Sequence, residues 1–389
     1  MFTKQIYSVT MCREIKYIRG EIMSTHNNAK RMREPEKNYS KNNKENKPKK
    51  KRKGLKIFLI VLIIIVVIIA AILAAGYTFI ASKLGEMNQE EIDINAISID
   101  DAVADELSDY RNIALFGIDS RADDYGRGNR SDCIIIASIN KKTSEVKLVS
   151  VYRDTYLKLT GRNLDKVTHA YSYGGAELAV STLNANLDLN IQEYVTVNFD
   201  AVVDAVDALG GIRIEVDSSE VKYINNYIDE NNRVTGHNSS HINTAGTYNL
   251  DGVQALAYSR IRYTAGGDFK RTERMREVLE AMVNKAKTLS MSQLLNVVNI
   301  MLPKISTNMS SNDIIGLAPT LLSMKIEESD GWPKENKGSM IGGVYYGVPI
   351  NLEANVKSLH EELFGQTDYT PSETVQEISD EIINKTGIQ

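Results

Sequence analysis

From Ile57 to Ser82 the chain carries no charged side chain, and most of the stretch reads IFLIVLIIIVVIIAAILAA. As a helix these 26 residues rise about 39 Å, enough for a hydrocarbon layer about 30 Å thick. A buried core helix of that length normally keeps one polar face. A cleaved signal peptide has a shorter apolar run, closed by a small-x-small site. The segment is therefore expected to be a transmembrane helix. Lys47, Lys49, Lys50, Lys51, Arg52, Lys53 and Lys56 stand directly before it. Such clusters stay cytoplasmic, so 1–56 is expected inside, as a disordered basic tail, and the chain after Lys83 outside. The expected location is the cell membrane, spanned once. A basic run set against an apolar span fits anchoring and anionic lipid better than nucleic acid, and no nucleic-acid partner is expected.

Charge divides at the same place. The whole chain has 46 Lys+Arg and 50 Asp+Glu. Residues 1–56 hold 17 of the basic and 5 of the acidic groups, leaving 29 against 45 in the rest, a net of −16. Two cysteines exclude a disulfide scaffold, and on this topology Cys12 and Cys133 lie on opposite sides and cannot pair. Five histidines without an H-E-x-x-H leave little for a histidine-rich metal site.

Residues 83–109 read as an acidic stalk with a short helix. Strands are expected at 112–118, 133–139 and 145–152, with a turn at Asn140–Ser144, and again at 192–198 and 212–217. Helical patterns run over 168–187, 199–209, 268–289, 292–301, 310–324 and 352–364. Strands mixed with helices give an α/β (α+β) layered domain with a mixed sheet over 110–365. The polar residues 366–389 are expected to fray.

The first three strands are close in sequence and should pair as an antiparallel meander. Asp119, the pair Arg130 and Asp132, and the pair Arg153 and Asp154 then fall at one end of the sheet, beneath a loop that adds Arg121 and Arg127. Thirteen arginines follow Lys83, and ten of them lie in 121–162 and 260–276. The second stretch contains DFKRTERMREVLEAMV, starting at Asp268. At 100° per residue its apolar stripe is Met275, Val278, Leu279, Met282 and Ala286. Asp268 and Arg271 fall inside that stripe, and Arg274 falls at its edge. Buried charge needs matching. Capping by Asp268 with an internal carboxylate for Arg271 would supply it, and so would an anionic ligand at the helix start after Gly266-Gly267. Arginine suits phosphate, being planar, forked and always charged. Asp119 and Asp132 could then hold Mg²⁺ against phosphate oxygens. Together these groups point to phosphoryl chemistry on a diphosphate. His169 is read as a structural histidine, with a general-base role as the rival.

At these residues the sequence resembles the LytR-CpsA-Psr family of bacterial envelope proteins. The matching segments are IALFGIDSR (113–121), RSDCIII (130–136), VSVYRDTYL (149–157), DKVTHAYSYGG (165–175), LDGVQALAYSRIRYTAGGDFKRTERMREVL (250–279) and VPINLEANVKSLHEELFG (348–365). The resemblance implies a three-layer α-β-α sandwich with a central mixed β-sheet, preceded by one transmembrane helix. It implies a phosphotransferase that moves a glycopolymer, such as wall teichoic acid or capsular polysaccharide, from a polyprenyl-pyrophosphate carrier to peptidoglycan. A non-catalytic envelope sensor binding the same lipids, or a hydrolase of them, is the alternative. Residues matching Asp119 and Asp132 bind Mg²⁺ in that family. Those matching Arg130, Arg153, Arg260, Arg262 and Arg271 contact the pyrophosphate, and Lys166 and Asp268 match further site positions. Arg130, Arg153, Asp268 and Arg271 are expected to be catalytic, with Asp268 the candidate base. Arg121, Lys166, Arg260, Arg262 and Arg274 are expected to bind substrate. The family often has Gln after the second Arg of an R-x-x-R-Q run, where this chain has Met275.

Overall fold

The structure, a computed structural model, describes residues 88–120, 124–310, 312–314, 317, 326–327 and 330–389, all within the second of two units, Ile68–Gln389. The main sheet is built on period-two alternation. In β2 (Tyr110–Ile118), β3 (Ser131–Asn140) and β4 (Val146–Val151) the side chains Ala114, Phe116, Ile118, Ile134, Ile136, Val149 and Val151 enter one core. Their neighbours Ile113, Ile135, Ala137, Ile139, Val146 and Leu148 enter another. Strands apolar on both faces require cover on both. β2–β3–β4 is the expected antiparallel meander. β7 (Glu193–Asn198) lies parallel to β2, β10 (Ile305–Thr307) antiparallel to β7, and β1 (Asn88–Gln89) parallel to β10. At the other side β11 (Ile326–Glu327) and β12 (Gly331–Trp332) run parallel to β4. The sheet is mixed, with order β1-β10-β7-β2-β3-β4-β11 and β12 also on β4.

One face is covered by α2 (Val167–Leu187), α8 (Leu352–Phe364) and α9 (Glu373–Thr386), with Ile97, Val103 and Leu107 around the short α1 (Asp101–Glu106). The other face meets Leu279 and Val283 of α6 (Gly267–Ala286). Beside it a smaller core joins α3 (Phe199–Leu209), the hairpin β8 (Ile212–Val216) with β9 (Gly246–Leu250), α4 (Ser218–Thr235) and α5 (Gly252–Ser259). α7 (Met291–Met301) follows. Two further hairpins, β5 (Tyr156–Lys158) with β6 (Leu164–Lys166) and β13 (Asn336–Ile341) with β14 (Val344–Pro349), flank the end of β4. This is the expected α-β-α sandwich around a mixed sheet.

Three expectations are corrected. The expected span, 57–82, lies outside the described residues, as do the basic tail and most of the helix expected at 310–324. Among the described residues no helix is long and apolar enough to cross a membrane. The longest is α2, of 21 residues, and it carries polar side chains along its length and a non-helical Gly175. The transmembrane part of the fold, the membrane as a single-span partner, and the single-pass location with an inner tail and outer catalytic domain are therefore withdrawn. Next, 83–109 is no free stalk in its described part, since Ile97 and Leu107 are wholly buried in the main core. Last, 366–389 does not fray. Ser372 caps α9, and Val375, Ile378, Ile382 and Ile388 are buried against the same core.

Candidate active site

The expected juxtaposition at one end of the sheet is present. β2 leads to Asp119, and the backbone N–H of Asp119 donates to the carbonyl of Arg130 at 3.3 Å. Across the β2–β3 ladder Gly117 pairs with Cys133 and Ile118 with Ser131, so Asp132 is the unpaired extra residue of a bulge. Gly117 permits the close approach, because a Cβ there would lie 2.9 Å from that of Cys133. Bulges re-aim side chains, and this one turns two consecutive residues to the α6 side: Asp132 lines a charged cavity and Cys133 an apolar one.

The charged cavity, about 290 Å³, brings together Asp119, Arg130, Asp132, Arg153, Arg260, Arg262 and Arg271, with Phe199, Tyr227, Tyr263 and Met275. Arg153 follows β4 and gives Asp132 a 2.6 Å ion pair. Arg271 holds Asp268 at 2.9 Å, and Arg153 and Arg262 each approach Asp268 to 3.9 Å. Arg262 also reaches Asp132 at 3.7 Å. Gly266 stands before α6 in the left-handed region at φ 92°, and no side chain caps this helix. Asp268 therefore serves the arginines rather than the helix end.

Arg271 is 1 % exposed. Burial pushes its pKa down; Asp268 resists, while Arg262 and Arg153 push it further down. Arg153 is also desolvated, yet Asp132, Asp154 and Asp268 outweigh that and raise its pKa. The Nε atoms of both arginines are buried without a hydrogen-bond partner. Five guanidiniums thus line the cavity against two carboxylates, with donors still to be satisfied. That arrangement receives a multiply charged anion with oxygens on several sides, which is the chemistry of a diphosphate.

Other expected residues stand apart. Lys166, at the end of β6, does not line this cavity; it pairs with Asp154 at 2.8 Å, and Asp154 lies 3.7 Å from Arg153. Arg260 lines the cavity but is already held by Asn231 at 2.5 Å and Glu230 at 3.1 Å. Arg274 is a correction. It is 0 % exposed and donates to Glu220 at 2.7 Å, the Ile261 carbonyl at 3.0 Å and Thr264 at 2.8 Å. It cannot meet substrate and instead ties down the loop that bears Arg262. Arg121 lies outside the described residues. His169 bonds through Nδ1 to Asp165 at 3.0 Å, an anchored structural placement. Phe199, Tyr227 and Tyr263 were not expected in the site. Phe199 was findable only with the sheet order, since β7 ends beside β2 with Asn198 opposite Ile118.

For Mg²⁺ the fit is partial and of the right kind. Asp119 and Asp132 share the cavity, and Mg²⁺ commonly takes one or two carboxylates plus substrate phosphates. Among the described residues no group of three His, Cys, Asp or Glu side chains forms a cage.

A second cavity, about 220 Å³, lies between the sheet and helices α3, α5, α6 and α7. Leu115, Ile135, Val195, Val202, Val278 and Met282 are among its apolar walls. Phe199 and Met275 line both cavities, so a greasy chamber adjoins the arginine cluster at a two-residue neck. Half-buried Cys133 faces this chamber with its thiol pKa pushed up to about 12, chiefly by desolvation.

TagT of Bacillus subtilis (strain 168), a polyisoprenyl-teichoic acid–peptidoglycan teichoic acid transferase, is 35% identical to this chain over 244 residues, 61% of this chain and 71% of TagT. A solved structure of TagT bound to LIIa-WTA matches with TM-score 0.51 and 30% identity, covering 73% of this chain and 93% of that one. B. subtilis TagV matches with TM-score 0.52 and 26% identity, covering 67% and 98%. Residues 76–362 match the LytR_cpsA_psr family, a span that holds the sheet, the arginine cluster and the apolar chamber alike, and the chain belongs to that family.

Proposed function

We propose that this chain is a glycopolymer transferase that moves a wall-type glycan, such as teichoic acid, from a polyprenyl-pyrophosphate carrier to peptidoglycan. The observation that carries the reading is the pairing of a desolvated arginine cluster with an apolar chamber across the Phe199–Met275 neck. A charged head and a hydrocarbon tail on one ligand need those two environments side by side. The likeness to TagT supports the same class of reaction.

In this reading Arg153 and Arg271 grip the pyrophosphate, with Arg130, Arg260 and Arg262 around it. An acceptor hydroxyl oxygen attacks the phosphorus that bears the glycan. The new P–O bond makes a phosphodiester, the P–O bond to the prenyl phosphate breaks, and that phosphate leaves with the electron pair. The hydroxyl proton passes to Asp268, the carboxylate paired with Arg271. Preorganised guanidiniums stabilise the charge growing on the leaving phosphate. Asp119 and Asp132 would hold Mg²⁺, which when bound neutralises phosphate charge. Lys166 acts through Asp154, keeping that carboxylate beside Arg153.

The test incubates the full-length chain with a polyprenyl-pyrophosphate glycan, peptidoglycan fragments and Mg²⁺. Covalent product is expected, falling about 10²- to 10³-fold in Arg271→Ala and Asp132→Asn. Chelation should abolish turnover, and Mg²⁺ should restore it; turnover indifferent to chelator removes the metal from the scheme. Binding without product would make the chain a sensor, and free glycan phosphate a hydrolase.

A further inference from the structure

We infer that the open groove at the start of α6 is the subsite for the acceptor saccharide. The inference rests on the transfer reading and names where its second substrate lies. The groove, about 480 Å³, is lined by Tyr152, Phe269, Pro333, Glu335, Asn336 and Ile350, with Lys334 at its edge. It draws on the chain neighbours of the site residues, since Tyr152 precedes Arg153 and Phe269 follows Asp268 in sequence. Their rings meet edge to face with centroids 4.5 Å apart. Phe269 is 41 % exposed.

The order of the groups at the reaction centre is set by α6. Met275, Arg271 and Asp268 are spaced by four and three residues and lie within about 60° of one another at 100° per residue. Arg271 is about 6 Å from Met275 along the axis, and Asp268 about 10 Å. The helix thus lays out the tail neck, the phosphate and the candidate base in one line. Displacement at phosphorus is in-line, with the entering oxygen opposite the leaving one. The leaving prenyl phosphate points toward Met275, so the acceptor hydroxyl must arrive from the Asp268–Phe269 end. The donor's own glycan is an equatorial substituent at phosphorus and departs sideways, away from this line.

The chemistry of the groove suits a sugar. Phe269, Tyr152, Pro333 and Ile350 offer the apolar floor on which a pyranose ring can rest. Glu335 and Asn336 supply polar groups at its side, in the mixture typical of orienting sites. The wall is stiff. Asn355 donates to the Glu335 carbonyl at 3.0 Å and accepts from its N–H at 3.0 Å. Lys334 is braced by Glu362 at 2.7 Å and Asp330 at 3.2 Å. A glycan strand modified along its length needs an open trough rather than an enclosed pocket, and this groove is a trough.

The test uses the full-length chain with Phe269→Ala, Asn336→Ala and the conservative Phe269→Tyr. Each alanine variant should raise the acceptor KM about tenfold with kcat at saturating acceptor retained, a loss of binding rather than of chemistry. Binding of the lipid-linked donor should stay within twofold, and Phe269→Tyr should restore most of the acceptor affinity. An acceptor KM unchanged in both alanine variants overturns the assignment while leaving the transfer reading intact. If the wild type makes no product, the transfer reading fails instead, and the groove is still judged by anisotropy of a fluorescent peptidoglycan oligosaccharide. Equal binding by wild type and both variants overturns it.

Discussion

Arg271 and Arg274 sit one turn apart on α6, both buried, and do different things. Arg271 answers to a single carboxylate, Asp268, and keeps a buried Nε without a partner. Arg274 is satisfied on three sides by Glu220, Ile261 and Thr264. Arg274→Met strands the Glu220 carboxylate, itself 3 % exposed, and should cost about 3–5 kcal/mol of folding stability. The double variant Arg274→Met with Glu220→Leu should regain most of that stability, because an apolar pair of similar volume is tolerated where a lone charge is not. Its turnover should stay low, since the loop that presents Arg262 has lost its anchor. Urea unfolding and transfer kinetics on the same samples check both halves; full recovery of turnover would show that the loop needs no tether.

At the scale of elements, α9 is a structural part of the domain. Ile382 is 1 % exposed in the main core. Ile382→Ala should destabilise by about 2–5 kcal/mol, whereas exposed Glu377→Ala should change little. Urea midpoints for the two variants separate them, and equal midpoints would return the segment to the status of a loose tail. The sequence held the signals for α9: Ser372 at the cap, apolar residues at 375, 378 and 382, and Gly387 after the end. They were outweighed by the polar composition of the last residues. α4 was missed for the same reason, although Asp217 and Glu220 form a capping box and Gly236 closes it. The meander, α3 and α8 were legible because their apolar residues recur at a regular period. So was the gathering of Asp119, Asp132, Arg153 and Arg271, which follows from antiparallel neighbours close in sequence. Phe199 and Tyr227 were not legible. Their place depends on β7 lying beside β2 and on how α4 packs, and no local pattern states either.

For the whole molecule, His360 ties distant parts of the chain together. It is wholly buried on α8, bonded to the Leu187 carbonyl at 3.1 Å and to Gln366 at 2.8 Å, and stacked on Tyr369. Burial pushes its pKa down, and the bonds to Gln366 and Leu187 only partly resist. The unfolded chain takes up a proton near pH 6.5, and the folded chain does so only at lower pH. The histidine's contribution is therefore present above about pH 6.5 and is lost as pH falls toward the depressed folded value. Melting temperature should be level from pH 8 to 7 and decline from 6.5 to 5. In His360→Gln that part of the decline should flatten, and an identical slope in the variant would assign it to other groups.

The bulge at Asp132 settles where a two-natured ligand can change character. A regular strand sends adjacent residues to opposite sides, so it cannot set a carboxylate and an apolar wall next to each other on one side. One surplus residue suspends that parity for a single step. The frontier between water-seeking and oily surroundings then falls between two consecutive positions of β3, about as sharp as the bond in a lipid where phosphate gives way to hydrocarbon.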